Sequence, residues 1–215
     1  FSILIPAVRE GLLMTTLTEG KCLPATCGET VTITYEFSHD LVSHTLYSTL
    51  GEEEKKITHV RAGRLILQNI GEGDIDTKIL TVLDHINRGL DLINRPEEKL
   101  KLSAYNLAAG RKAKASAAFD SAVNYLKAAM ELLPYDSWES CYQLCHDVYL
   151  ECAQCEYLRG NTAESERLFD ILISRSGSEL DKADVYGLKM QLYAGTGKYD
   201  VAVQIGLNAL KELGV

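Results

Sequence analysis

From about residue 52 onward the chain repeats one pattern, with apolar residues at spacings of three and four and short polar or glycine breaks between the runs. That period predicts helix after helix. Ala115, Ala118, Phe119, Ala122, Leu126, Ala129 and Leu133 lie along one helical face, and Pro134 stops it. Small residues fill the first half of that stripe, so another helix is expected to approach closely. Asp136 with Glu139, Asn161 with Glu164, and Ser178 with Asp181 each place a side-chain acceptor at a helix start and a carboxylate in its first turn. Gly160 and Gly197 stand where a left-handed residue ends a helix.

Superposing those two glycines exposes a repeat. Tyr149, Tyr157, Gly160, Asn161 and Phe169 match Tyr186, Ala194, Gly197, Lys198 and Gly206 at a spacing of roughly 37 residues, near the value of about 34 for a tetratricopeptide unit. A more degenerate unit fits Gly110, Ala122, Leu126, Ala129 and Pro134. Upstream, residues 52–70 and 74–94 read as two further amphipathic helices, the second striped by Ile75, Ile79, Val82, Leu83, Ile86, Leu90 and Ile93. Residues 1–50 differ: an apolar start, a turn at 19–29 holding Gly20, Pro24 and Gly28, then alternating Val31, Ile33, Tyr35 and Phe37. With a helix at 38–49, this outlines the end of a winged-helix unit. The expected fold is all-α: a tetratricopeptide-like stack of antiparallel helix hairpins over 51–215, preceded by a small winged-helix-like end with a short β-hairpin over 1–50.

Composition narrows the function. Hydrophobic residues at 46% and charged residues at 24% are those of an ordinary folded domain. The net charge of -8 argues against nucleic acid, whose phosphates require a clustered cationic face. The basic cluster Arg111, Lys112 and Lys114 reads as a solvated helix end complementing the helix dipole. No apolar run reaches the roughly 20 residues that cross a bilayer, and no secretory leader is read at the start, so a cytoplasmic protein without membrane contact is expected. The start at Phe1, without Met, suggests a piece of a longer protein.

Candidate chemistry is thin. Cys141, Cys145, Cys152 and Cys155 fall on one helical stripe, but a rise of about 1.5 Å per residue separates the two pairs by roughly 10 Å. One zinc with bonds of about 2.3 Å cannot gather them from a straight helix, so they read as small core hydrophobes and no metal is expected. Cys22 and Cys27 flank the presumed turn and could pair if oxidised. His39, His44, His59 and His85 are scattered over helices, and neither a phosphate-binding loop nor a dinucleotide fingerprint occurs. No catalytic residue is assigned.

The segments YEFSHDLVSHTLYSTL (35–50), EEEKKITHVRAGRLIL (52–67), INRGLDLI (86–93) and LKLSAYNLAAGRKAKASAAFDSAVNYLKAAMELLP (100–134) resemble one region of large multidomain sensor kinases. Those proteins carry a serine/threonine-kinase-like domain, a signal-transduction ATPase module, a helical-repeat region, then GAF and histidine-kinase domains. The resemblance implies the end of the ATPase module's winged helix followed by tetratricopeptide-like repeats, without the kinase, the nucleotide-binding core or the phosphoacceptor region. ATP or ADP would therefore belong to the parent chain, with no cofactor in this segment. Phe37-x-His39, with Tyr47 further on, matches the motif in which related ATPases set a histidine against the ADP phosphate, so His39 is a nucleotide-sensing candidate. The expected function is protein interaction and regulation, coupling the ATPase module to neighbouring domains or to a protein or peptide partner. Asn106, Tyr149 and Tyr186 are the candidate groove residues, with a core role open for the two tyrosines. The alternatives are a nucleotide- or metal-binding enzyme domain, and the regulatory part of an ATPase-type transcription regulator.

Overall fold

A computed structural model describes residues 4–19, 31–70 and 75–214, and the chain divides into two compact units, Phe1–Lys56 and Ile57–Val215. In the first unit a short helix, α1 (Ile5–Arg9), leads into β1 (Leu13–Glu19), which pairs antiparallel with β2 (Val31–Phe37). The register sets Leu13 opposite Phe37 and Glu19 opposite Val31. Ser38 fastens the base of the hairpin, its backbone N–H and its Oγ both donating to the Leu12 carbonyl at 3.0 and 3.2 Å. Helix α2 (Asp40–Thr49) follows, then α3 (Glu52–Asn69) begins. The turn expected between the strands, with Cys22 and Cys27, lies outside the described residues. No described side chain of this unit is buried.

The second unit is helical and carries the core. After α3 come α4 (Ile75–Ile86) and a 3-10 segment, Asn87–Leu92. The single helix expected over 74–94 is thus broken, because Gly89 adopts a non-helical φ of -146° and ψ of 47°. The apolar stripe still packs: Val82, Leu83 and Ile86 are fully buried with Val60 of α3. Then follow α5 (Pro96–Ala115), α6 (Phe119–Leu132), the single turn α7 (Ser137–Ser140), α8 (Tyr142–Leu158), α9 (Thr162–Arg175), α10 (Glu179–Gly195) and α11 (Tyr199–Glu212).

Three helix pairs, α5 with α6, α8 with α9 and α10 with α11, dominate the packing. Three residues join the members of each pair, so helices packed along their lengths must run antiparallel. All three turns are built alike. The N–H groups of Ala118, Asn161 and Lys198 reach back five residues to the carbonyls of Ala113, Glu156 and Tyr193, at 2.9, 2.8 and 3.0 Å. The residue before each donor is left-handed: Ala117 at φ 56°, Gly160 at 92° and Gly197 at 80°. These are Schellman turns, in which otherwise orphaned carbonyls at the helix end find donors.

Two expectations fail here for physical reasons. The stripe from Ala115 to Leu133 is not one helix, because Ala117 breaks it; its later residues, Ala122, Leu126 and Ala129, are fully buried in α6. Of the three expected caps, Ser178 alone accepts a first-turn N–H, from Asp181 at 3.1 Å. Asn161 instead donates its amide to the Glu156 carboxylate at 2.9 Å, a charge-assisted bond stronger than a neutral cap. Pro134 does end α6 at Leu132, leaving Leu133 extended as a residue before proline must be.

Candidate functional site

Counted back from the left-handed turn residue, Asn106, Tyr149 and Tyr186 occupy one equivalent position in the three pairs, eleven residues before Ala117, Gly160 and Gly197. That position faces inward. Asn106 is 0% exposed and its amide exchanges hydrogen bonds with Asn87, at 2.7 and 3.1 Å, while also donating to the Leu102 carbonyl at 3.0 Å. It holds α5 to the 3-10 segment and is no groove residue. Tyr149 is half-buried against the Trp138 ring, 5.1 Å between centroids, at the edge of the main core. Tyr186 is buried and donates to Glu212 at 2.7 Å; burial and that bond push its pKa up to about 12. Periodicity marked these as equivalent first-helix positions but could not say which side of the helix meets solvent.

The polar groups that matter between pairs sit elsewhere. Glu156, whose side chain is fully buried in the last turn of α8, takes Lys127 of α6 at 2.9 Å, Arg159 at 2.7 Å and Asn161. Burial opposes its ionisation, yet the hydrogen bonds from Lys127, Arg159 and Asn161 outweigh it and hold the carboxyl below its ordinary pKa. At the next junction the polarity reverses: Glu166 of α9 receives Lys189 of α10 at 2.5 Å and the hydroxyl of Tyr193. Between the first helices, Arg111 and Lys114 of α5 hold Asp147 and Glu151 of α8 at 2.5 to 3.0 Å. The basic cluster expected to be a solvated helix end is therefore, in Arg111 and Lys114, a clamp between pairs. Residues so far apart in sequence leave no local signal; only an acid inside the stripe Cys152, Ala153, Cys155 and Tyr157 hints at Glu156.

Three of the described cysteines pack as expected of small hydrophobes. Cys145, Cys152 and Cys155 are fully buried, and burial pushes their thiols up to about 11, 12 and 11, so they stay protonated and unreactive. Among the described residues no three metal-ligating side chains cluster. His59 of α3 and His85 of α4 meet, Nδ1 to Nδ1, at 2.9 Å, so one ring donates to the other. Burial, then the charges of Arg88 and His85, lower the His59 pKa. His39 is exposed at the N-cap position of α2, with extended backbone and no capping bond from its side chain.

A cleft of about 530 Å³ lies where the end of α4 and the 3-10 segment face α6. Asp84, Arg88, Asn124, Tyr125, Lys127 and Glu131 line it. The Tyr125 hydroxyl donates to Asp84 at 2.8 Å, and burial with that bond lifts its pKa to about 12, which keeps the proton on the ring oxygen. Two cations and two carboxylates around amides and hydroxyls suit hydrogen-bonded recognition of a polar chain.

No protein-family model and no solved structure matches the chain. Among curated proteins it is similar to hybrid signal transduction histidine kinase G of Dictyostelium discoideum, 28% identical over 211 residues. The alignment takes in 87% of this chain and 6% of the relative's length. That similarity supports a signal-transduction kinase context. Among the described residues, no helix is long and apolar enough to cross a membrane.

Proposed function

We propose that the chain is a tetratricopeptide-like helical-repeat segment of a multidomain signal-transduction kinase, acting by protein recognition. The observation that supports this is three successive helix pairs closed by the same Schellman turn, in a sequence aligned along most of its length with a hybrid histidine kinase. In such a stack each pair contacts only its neighbours, so the coupling proposed here runs from pair to pair through the ion-pair clamps. The segment then couples an upstream ATPase module to downstream domains or to a protein or peptide partner, and contributes no catalytic centre of its own. Residues 1–50 belong, in this reading, to the winged-helix end of that module. His39, exposed at the head of α2, reads ADP held by the parent chain.

The test compares the parent kinase with a Glu156→Lys variant, which breaks the clamp between α6 and α8. Autophosphorylation should lose its dependence on the upstream module while the catalytic domain keeps its basal rate; unchanged coupling in a variant whose clamp is broken would sink the proposal. A thermal-shift titration of the 215-residue chain with ADP and with zinc separates the rival readings. No shift beyond about 1 °C is expected, against the roughly 2.7 kcal/mol of stabilisation that a hundredfold excess over Kd supplies to a true binder.

A further inference from the structure

The last helix pair leaves open the face its predecessors close. In the first pair Val123 of α6 is 1% exposed, within the core shared with α8; its equivalent six residues past the third turn, Val203 of α11, is 57% exposed. Met130 and Ile173 pack against the core, whereas Leu210 at the same position is 47% exposed. Lys127 and Asp170, polar at one outward position of α6 and α9, give way to Leu207 in α11, also 47% exposed. An outward position has therefore become apolar where nothing among the described residues covers it. Between α10 and α11 runs a groove of about 400 Å³ whose lining, with Ala183, Gly187, Met190, Gly206 and Leu207 among it, carries no charged residue.

We propose that this face is a stacking surface for one further amphipathic helix of the same polypeptide, laid on α11 as α10 is laid on α9. Continuity with the two interfaces inside the chain carries the choice of occupant: α8 covers α6, where Val123 lies in the shared core; α10 covers α9, where Lys189 takes Glu166 at the same position; and α11 presents Val203 there with no helix to cover it among the described residues. The floor of small residues requires large apolar side chains from the incoming helix, at i, i+3 or i+4, and i+7, with no charge on the contact face. Exposed patches of this kind mark an interface rather than ordinary surface. In the Dictyostelium relative the aligned segment is 6% of the length, so that protein has ample chain for further pairs.

The inference rests on the repeat reading above only in treating the three pairs as equivalent. The experiment extends the 215-residue chain by the next 40 or so residues of its reading frame, about one helix pair. Hydrogen exchange of the amides in α11 should slow at least about tenfold. The double variant Val203→Glu, Leu207→Glu should abolish that slowing while leaving the helicity of the unextended chain unchanged. Unchanged exchange on extension overturns the proposal. So does a concentration-dependent dimer of the unextended chain that already protects α11, because a second copy then occupies the face. Either failure leaves the coupling measured with Glu156→Lys untouched.

Discussion

The first two helix pairs and the third share a turn but reverse their packing. Seven residues before the turn residue stand Gly110, Ala153 and Met190; nine residues after it stand Leu126, Phe169 and Gly206. In the first two pairs the small residue lies on the leading helix and the large one on the returning helix. The third inverts the arrangement. A Cβ on Gly110 would lie 2.7 Å from Leu126 Cγ, and one on Gly206 would lie 2.9 Å from Met190 Cε, so the same pair of positions meets in both. The difference teaches where the stack is rigid: Leu126 and Phe169 are fully buried by the helix that follows, whereas Met190 fills its gap from the rim of an open groove.

The largest test of that contrast truncates the large partners. Phe169→Ala should lower the unfolding free energy by about 4 kcal/mol, since Phe169 is fully buried at the centre of the main core. Met190→Ala should lower it by about 2 kcal/mol, because a flexible, half-buried side chain leaves a cavity open to water. Urea denaturation of both variants measures the gap, and equal losses would mean that the third pair is as tightly closed as the second.

Next in size is the clamp that joins the first two pairs. Glu156→Gln keeps the shape but removes the charge that Lys127 and Arg159 address, and should cost about 2 kcal/mol at pH 7. The carboxyl is held below its ordinary value, so its contribution is complete above the unfolded-state pKa and is lost as pH falls through the lowered folded value. Stability of the wild-type chain followed by denaturation from pH 7 down to pH 3 should therefore fall more steeply than that of Glu156→Gln. Parallel curves would show that the buried carboxylate adds nothing to the junction.

Much of this fold could be read from the sequence, and the parts that could not share a cause. Gly160 and Gly197 announced their turns because glycine alone enters the left-handed region without strain. Ala117 gave no such sign, so a helix was expected to run through it. Asn161 looked like a cap, but its amide turns to the carboxylate of Glu156, five residues back, which the distant Lys127 holds in place. Asn106 looked like a surface amide until Asn87 buried it. Local chemistry fixes turns and periods; which polar residue finds a partner is decided by helices tens of positions away.

The reversed packing also predicts opposite signs for one substitution. Gly110→Ala gains about 1 kcal/mol of helix propensity but drives its methyl into Leu126, which is walled in on every side, for a net loss of about 2 kcal/mol. Gly206→Ala meets only the movable end of Met190, so the propensity gain survives and the chain becomes slightly more stable, by about 0.5 kcal/mol. A loss from both, read as urea midpoints, would mean that Met190 cannot yield.

The smallest effect isolates the turn itself. Ala117 holds the left-handed conformation that Gly160 and Gly197 hold in the other pairs, and an L side chain there crowds the following carbonyl, a strain of about 1 kcal/mol. Ala117→Gly relieves it but frees the unfolded chain as well, which returns part of the gain. The expected net is a stabilisation of about 0.5 kcal/mol, while Gly160→Ala and Gly197→Ala each lose about 1 kcal/mol. Thermal midpoints of the three variants decide it. If Ala117→Gly destabilises, the first pair tolerates its strain because the Ala118 N–H to Ala113 carbonyl bond and the buried α5–α6 crossing over-determine the turn, and the three turns are alike in geometry without being alike in energy.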